Sequence, residues 1–126
     1  KVMKHPVFGE ITFSVGWKAS RKIQLFGNDY DIKLKVQAYF EEDGITSEQE
    51  QAYLDYSSKE GSKLRIVEEL LNSYSASPQN RFTPKTLLFQ RDGSYALLCD
   101  DNDEPDEGIA VCLAPSEQIV SQDEYL

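Results

Sequence analysis

The sequence is poor in the residues that most catalytic and metal sites require. Its 126 residues include one histidine, His5, and two cysteines, Cys99 and Cys112. One histidine cannot build a His-ligated metal site, and two cysteines in a chain of this length do not make a disulfide framework. Both cysteines lie in apolar runs, where burial raises the pKa of a thiol and lowers its reactivity. We therefore predict structural roles for His5 and for both thiols.

Long apolar segments and catalytic signatures are also missing. The chain has no run of roughly 18 apolar residues and no apolar signal-peptide stretch near Lys1. It contains no Gly-rich phosphate loop, no G-x-S-x-G and no H-E-x-x-H. No interior linker divides it, so residues 1–126 are predicted to form one domain. We expect a soluble, cytoplasmic, non-enzymatic protein without a cofactor.

Basic side chains are absent from residues 92–126, which carry ten acidic ones. Residues 1–40, by contrast, carry seven basic and three acidic side chains, and the whole chain has a net charge of −9. Because phosphate groups are bound by clustered Lys and Arg, this balance argues against nucleic acid and anionic membranes as partners. The negative net charge favours a basic protein as the partner instead.

A short polar segment between two apolar runs concentrates this charge, and it is the main candidate site. We predict that it binds a basic partner, since complementary charge speeds and selects encounters. A solvated turn, a calcium site and a carboxylate-based enzyme site remain alternatives. The calcium spacing is poor, because Pro105 takes a ligand position and the flanking segments look like strands. The candidate carboxylates are Asp100, Asp101, Asp103, Glu104, Asp106 and Glu107.

Trp17 is the second candidate contact. Tryptophan is enriched among the residues that dominate binding energy at protein interfaces, and Trp17 follows Gly16 in what reads as a loose connection. The alternative is that its side chain closes one end of the sheet as part of the core.

Periodicity predicts an α+β fold. Alternating apolar residues indicate strands at about 2–40 and about 85–122, and a helical stripe spans about 47–74. Ser47 and Glu50 have the spacing of a capping box, and the polar stretch 57–62 with Gly61 predicts a kink or a break. We therefore expect one or two antiparallel sheets with a central long or kinked helix packed on one face.

Asp92-Gly93 predicts a two-residue hairpin turn that pairs Gln90 with Tyr95 and Leu88 with Leu97. The flanking strands are apolar on both faces, which is typical of central strands covered on both sides. The helix can cover one face. The other face requires a second sheet, a loop or a partner chain, so self-association is a further alternative.

Six short segments stand out along the chain: His5 to Glu10, Gly16-Trp17, Phe26-Gly27, Arg81 to Pro84, Asp92 to Leu98 and Pro105 to Val111. Together they resemble a bacterial domain-of-unknown-function family. The resemblance implies a small cytoplasmic α+β protein and implies no catalytic residues. Small acidic proteins of this kind can be immunity partners of bacterial toxins, so an inhibitor of a basic toxin is an expectation by analogy.

Overall fold

Eight strands form a single sheet in the order in which they occur along the chain. The computed structural model describes residues 2–126. The strands are β1 (Val2–His5), β2 (Gly9–Phe13), β3 (Trp17–Leu25), β4 (Asn28–Val36), β5 (Phe82–Phe89), β6 (Tyr95–Asp101), β7 (Gly108–Ala114) and β8 (Gln118–Ser121). The helices are α1 (Ser47–Ser58), α2 (Glu60–Tyr74), α3 (Pro78–Arg81) and α4 (Gln122–Tyr125), and a 3-10 turn covers Glu41–Asp43.

The sheet is antiparallel everywhere except between β4 and β5, which are parallel, with Val36 beside Phe89 and Lys33 beside Thr86. A parallel pair requires the chain to cross from one end of the sheet to the other, and α1, α2 and α3 make that crossing. The mixed fold is thus confirmed, whereas an entirely antiparallel sheet is wrong. The predicted break within residues 57–62 is confirmed, because the helical segment is two helices that meet at Lys59, and one continuous long helix is not observed.

The register of β5 with β6 differs by one residue from the prediction. Phe89, not Gln90, lies opposite Tyr95, so the connection is a longer loop in which the Gln90 N–H donates to the Ser94 carbonyl. The rings of Phe89 and Tyr95 stack, with their centroids 5.0 Å apart. A shift of one residue moves side chains to the other face of a strand, and this register puts both rings on the helix side.

The strands β5 to β7 are buried on both faces, as predicted. Phe89, Val111 and the α2 residues Val67 and Leu71 belong to one core between helices and sheet. On the outer face a smaller cluster comprises Ala96, Ala110 and Cys112, with Leu98, Val120 and Tyr125 packed against it. Tyr125 comes from α4, so a short C-terminal helix, and not a second sheet, covers this part of the outer face.

The helix layer begins one residue earlier than predicted. Thr46, not Ser47, is the N-cap: its hydroxyl accepts from the Gln49 N–H, and the Gln49 side-chain oxygen accepts from the Thr46 N–H. The Gln49 Nε2 group donates to the carbonyls of Gln37 and Phe89 at 2.9 and 3.1 Å. Gln49 is fully buried. One side chain therefore caps α1 and ties it to the ends of β4 and β5.

The break between α1 and α2 lies over a polar cluster centred on Arg21 of β3. Its guanidinium donates to Glu60 at 2.8 Å and to the Tyr53 hydroxyl at 2.6 Å, and the Tyr56 hydroxyl donates to Glu60. Burial raises the pKa of Glu60, but the hydrogen bonds from Arg21 and Tyr56 outweigh it and hold that pKa below its usual range. Burial, and then the Glu60 carboxylate, raises the pKa of Tyr56. The cluster thus joins both helices to the sheet.

Replacing the buried glutamine tests this arrangement. We expect Gln49→Ala to lower the free energy of unfolding by about 2 kcal/mol, because the Thr46 N–H and carbonyl groups at the sheet ends lose buried partners. Urea denaturation of the purified variant measures the change. Gln51→Ala, at an exposed position of the same helix, is the matched control and should change stability by less than about 0.5 kcal/mol. Equal losses in both variants would contradict a special role for Gln49.

Candidate functional site

The acidic loop, defined here as residues 100–107, connects β6 to β7 at one end of the sheet. Asp100 and Asp101 are the last residues of β6, where Asp100 lies opposite Gly108. The residues that follow form successive turns, in which the Glu104 N–H donates to the Asp101 carbonyl and the Glu107 N–H to the Glu104 carbonyl. The loop therefore has a defined backbone.

Asp101 is the internal anchor of this loop. Its two carboxylate oxygens accept from Nε and an Nη of Arg81 at 3.0 and 2.8 Å, and its side chain is only 4% exposed. The same carboxylate accepts from the Asp103 N–H, while the Asn102 N–H donates to the Arg81 carbonyl. Asp101 is thus buried and paired within the chain, so its predicted place among the partner-binding carboxylates needs correction.

The ion pair shifts the pKa of Asp101 and the pKa of Arg81 in the directions expected for opposite charges in contact. The hydrogen bond from Arg81, helped by the Asp103 N–H and opposed by burial, holds the pKa of Asp101 below its usual range. The same hydrogen bond raises the pKa of Arg81. A two-pronged guanidinium–carboxylate contact fixes geometry as well as charge. Arg81 therefore positions the loop from a residue twenty positions earlier in the chain.

The other carboxylates of the acidic loop are exposed. Asp103 lies 3.7 Å from the Arg81 Nε atom and is 70% exposed, and within residues 2–126 the remaining four form no ion pair within 4 Å. In that part of the chain no three His, Cys, Asp or Glu side chains are grouped so that they could hold a metal ion. The five exposed carboxylates are Asp100, Asp103, Glu104, Asp106 and Glu107.

Trp17 is buried, with 4% of its surface exposed, so the interpretation as an exposed contact is wrong and the core interpretation is confirmed. It is the first residue of β3, and its ring meets Phe13 edge-on at 5.2 Å. The predicted loose connection is only a short turn before it. Its indole N–H is buried and has no acceptor among the described residues.

Both thiols are buried, as predicted, and His5 is held by local contacts. Cys99 faces the helix-side core and Cys112 the outer cluster, and both are buried. Burial raises the pKa of Cys99 to about 12. His5 Nδ1 accepts from the N–H groups of Val7 and Phe8, and its Nε2 atom lies 3.3 Å from a Glu50 oxygen. His5 thus closes the β1–β2 turn against α1.

Sequence reasoning found the acidic loop but not Arg81, its anchor. Arg81 is the last residue of α3, a single helical turn that begins at Pro78. The sequence signal was slight: Arg81 is a lone cation ahead of an apolar strand. Its pairing with Asp101 depends on α3 ending beside the last residues of β6, where Phe82 lies opposite Asp101.

Comparisons of the chain with protein-family models, with curated proteins and with solved structures found no match. The resemblance to a bacterial family of unknown function therefore stays a prediction. No helix in residues 2–126 is both long and apolar enough to cross a membrane.

The Arg81–Asp101 anchor predicts a pH-dependent stability difference. The pKa of Asp101 is lower in the folded chain, so its contribution is present above the unfolded value of about 3.9 and is lost as pH falls through the folded value. We expect Asp101→Asn to be less stable than the parent at neutral pH, by a margin that narrows below about pH 4. Urea midpoints across this pH range measure the margin.

The matched control is Asp106→Asn, an exposed carboxylate of the same loop. It should leave the urea midpoint near that of the parent chain at neutral pH. Hydrogen exchange should also accelerate at the amides of Asn102, Asp103 and Glu104 in Asp101→Asn alone. Unchanged exchange at these amides would mean that the ion pair does not order the loop.

Proposed function

We propose that this protein is a non-enzymatic binding protein that holds a basic protein partner against its acidic loop. The observation that carries the proposal is the anchored loop itself: Arg81 and Asp101 fix its backbone, and five carboxylates stay exposed around that anchor. An inhibitor- or immunity-type role, in which the loop covers the basic cleft of a toxin, fits this arrangement.

Without a partner, the acidic loop combines repulsion between its carboxylates with an ordered backbone. Five carboxylates on a short loop repel one another, and Lys or Arg side chains of a partner would relieve that repulsion as they form pairs. Because the loop is already ordered, binding requires little additional loss of conformational entropy. Charged pairs at the rim of an interface chiefly increase the association rate and make it dependent on salt.

A charge-neutral loop tests the proposal. We expect the parent chain to capture a basic protein from lysate of the native cell. Substitution of Asp100, Asp103 and Asp106 by Asn, together with Glu104→Gln and Glu107→Gln, should abolish that capture. With the captured protein purified, the association rate constant should fall about tenfold or more between low and physiological ionic strength.

A matched control keeps the same change in net charge. It neutralises five exposed carboxylates elsewhere, namely Glu10, Asp29, Glu69, Glu117 and Asp123, and should retain the partner. Equal loss of binding in both variants would mean that only net charge matters. Capture of the same partner by the loop variant, or an association rate insensitive to salt, would refute the acidic loop as the binding site.

A further inference from the structure

A second surface lies at the opposite end of the sheet from the acidic loop. A cavity of about 420 Å³ opens there, lined by Met3 of β1, Trp17 of β3 and Glu41, Glu42 and Gly44 of the segment that follows β4. Met3 lies opposite Ile11, and Phe13 lies opposite Trp17, so the ends of the first three strands meet at this place.

The segments around the cavity expose large apolar side chains. Tyr39 is 80% exposed, Phe40 62%, Val15 76% and Met3 41%. We call these four residues the aromatic patch. Tyr39 and Phe40 directly precede Glu41 at the cavity wall, and Val15 precedes Gly16, which packs beside the Val36 carbonyl. Grouped exposed apolar side chains with a polar rim mark interaction sites on soluble proteins.

Val15 has an unfavourable backbone conformation as well as an exposed side chain. Its backbone has φ 54°, in the left-handed region that a β-branched residue rarely adopts. Its side chain does not contribute to the core, since it is mostly exposed. Strained residues of this kind concentrate at functional sites.

Hydrogen bonds hold the loop that carries Tyr39 and Phe40 in place. Arg91 donates to the carbonyls of Gly44, Gln37 and Asp43. The Phe40 N–H donates to the Asp43 carboxylate, and the Asp43 N–H donates to the Phe40 carbonyl. Tyr39 and Phe40 are therefore displayed on an ordered backbone, which lowers the entropic cost of binding them.

The charge around the cavity is negative. Glu41, Glu42 and Asp43 are consecutive and exposed, and no ion pair forms at any of them within residues 2–126. Of the nearby cations, Arg91 is occupied by main-chain carbonyls, and the Lys35 side chain lies against Gly16 on the outer face, where Lys18 is its neighbour. Trp17, which lines the cavity, also has an indole N–H that finds no acceptor in residues 2–126.

From these observations we propose that the aromatic patch and its cavity form a second docking site. Its occupant is a segment of another protein with an apolar anchor side chain flanked by Lys or Arg. The anchor packs against Met3 and Trp17 in the cavity, and the flanking cations meet Glu41 and Glu42. The β6 strand alone places this site on the order of 20 Å from the acidic loop, so the two surfaces are separate and can be lost separately.

A selection experiment identifies the chemistry of the occupant. A displayed library of random peptides is selected on the parent chain and depleted on the triple variant Val15→Asn, Tyr39→Ser, Phe40→Ser. We expect enrichment of peptides with an apolar side chain between Lys or Arg residues. All three changes lie at exposed positions, and Asn tolerates positive φ, so the variant should fold with an unchanged or higher urea midpoint.

Trp17 supplies the direct readout, because it is the only tryptophan. A synthetic peptide from the selection should shift the indole N–H resonance and the emission of the parent chain. Its affinity should fall about tenfold or more in the triple variant and also in Glu41→Gln, Glu42→Gln. Affinity should be unchanged in the control Leu54→Ser, Leu126→Ser, which alters exposed apolar residues elsewhere, and in the neutralised acidic loop.

Other outcomes would overturn the proposal. Enrichment of neutral or acidic peptides, no enrichment at all, or a peptide that leaves the Trp17 resonance unmoved would exclude this occupant. A concentration-dependent dimer that is lost in the triple variant would assign the patch to a second copy of the chain instead. Peptide affinity lost in the neutralised acidic loop but kept in the triple variant would place binding at the loop alone.

Discussion

The parallel contact between β4 and β5 is the constraint on which the rest of the structure depends. Two adjacent parallel strands require the intervening chain to travel the length of the sheet, so α1 and α2 must lie over one face. That face becomes the main core, and β5 to β7 become the most deeply buried strands. The crossing also separates the loops into two groups, with the acidic loop at one end and the Tyr39–Phe40 segment at the other.

Three buried or partly buried polar connections hold this crossing in place. Gln49 joins the start of α1 to the ends of β4 and β5, and Arg21 joins the α1–α2 break to β3. Arg81 joins the end of the crossing to Asp101 of β6. Each has its hydrogen-bonding groups engaged, which is the condition under which buried polar contacts specify one arrangement. Both proposed binding surfaces lie beside such a connection and have ordered backbones.

The fold also places the basic and acidic side chains on different parts of the surface. Lysines of the basic N-terminal part fall on the outer face of the sheet, where Lys18 lies opposite Lys35 and Lys33 is two residues along. Burial, and then the neighbouring Lys18 and Lys33, lowers the pKa of Lys35. The carboxylates of the acidic loop and of Glu41 to Asp43 lie at the ends instead. The acidic segments and these lysines thus occupy different parts of the surface.

The sequence by itself determined the class of the fold, most strand positions, the burial of both cysteines and the existence of the acidic loop. These follow from local rules: alternation along strands, helical periodicity and the composition of a turn. Local patterns could not choose between equivalent registers. Thr46 with Gln49 and Ser47 with Glu50 fit a helix start equally well, and the Asp92-Gly93 turn allowed a pairing one residue away from the one that stacks Phe89 on Tyr95.

Only the tertiary structure decided which of these local options holds, because the deciding contacts join residues far apart in sequence. Gln49 reaches Phe89, Arg81 removes Asp101 from the set of free carboxylates, and Phe13 helps to bury Trp17. The tertiary structure also decided the parallel pairing of β4 with β5, since nothing in the sequence of either strand indicates which strand will lie beside it. Exposure of Tyr39 and Phe40 likewise follows from the crossing that begins just after them.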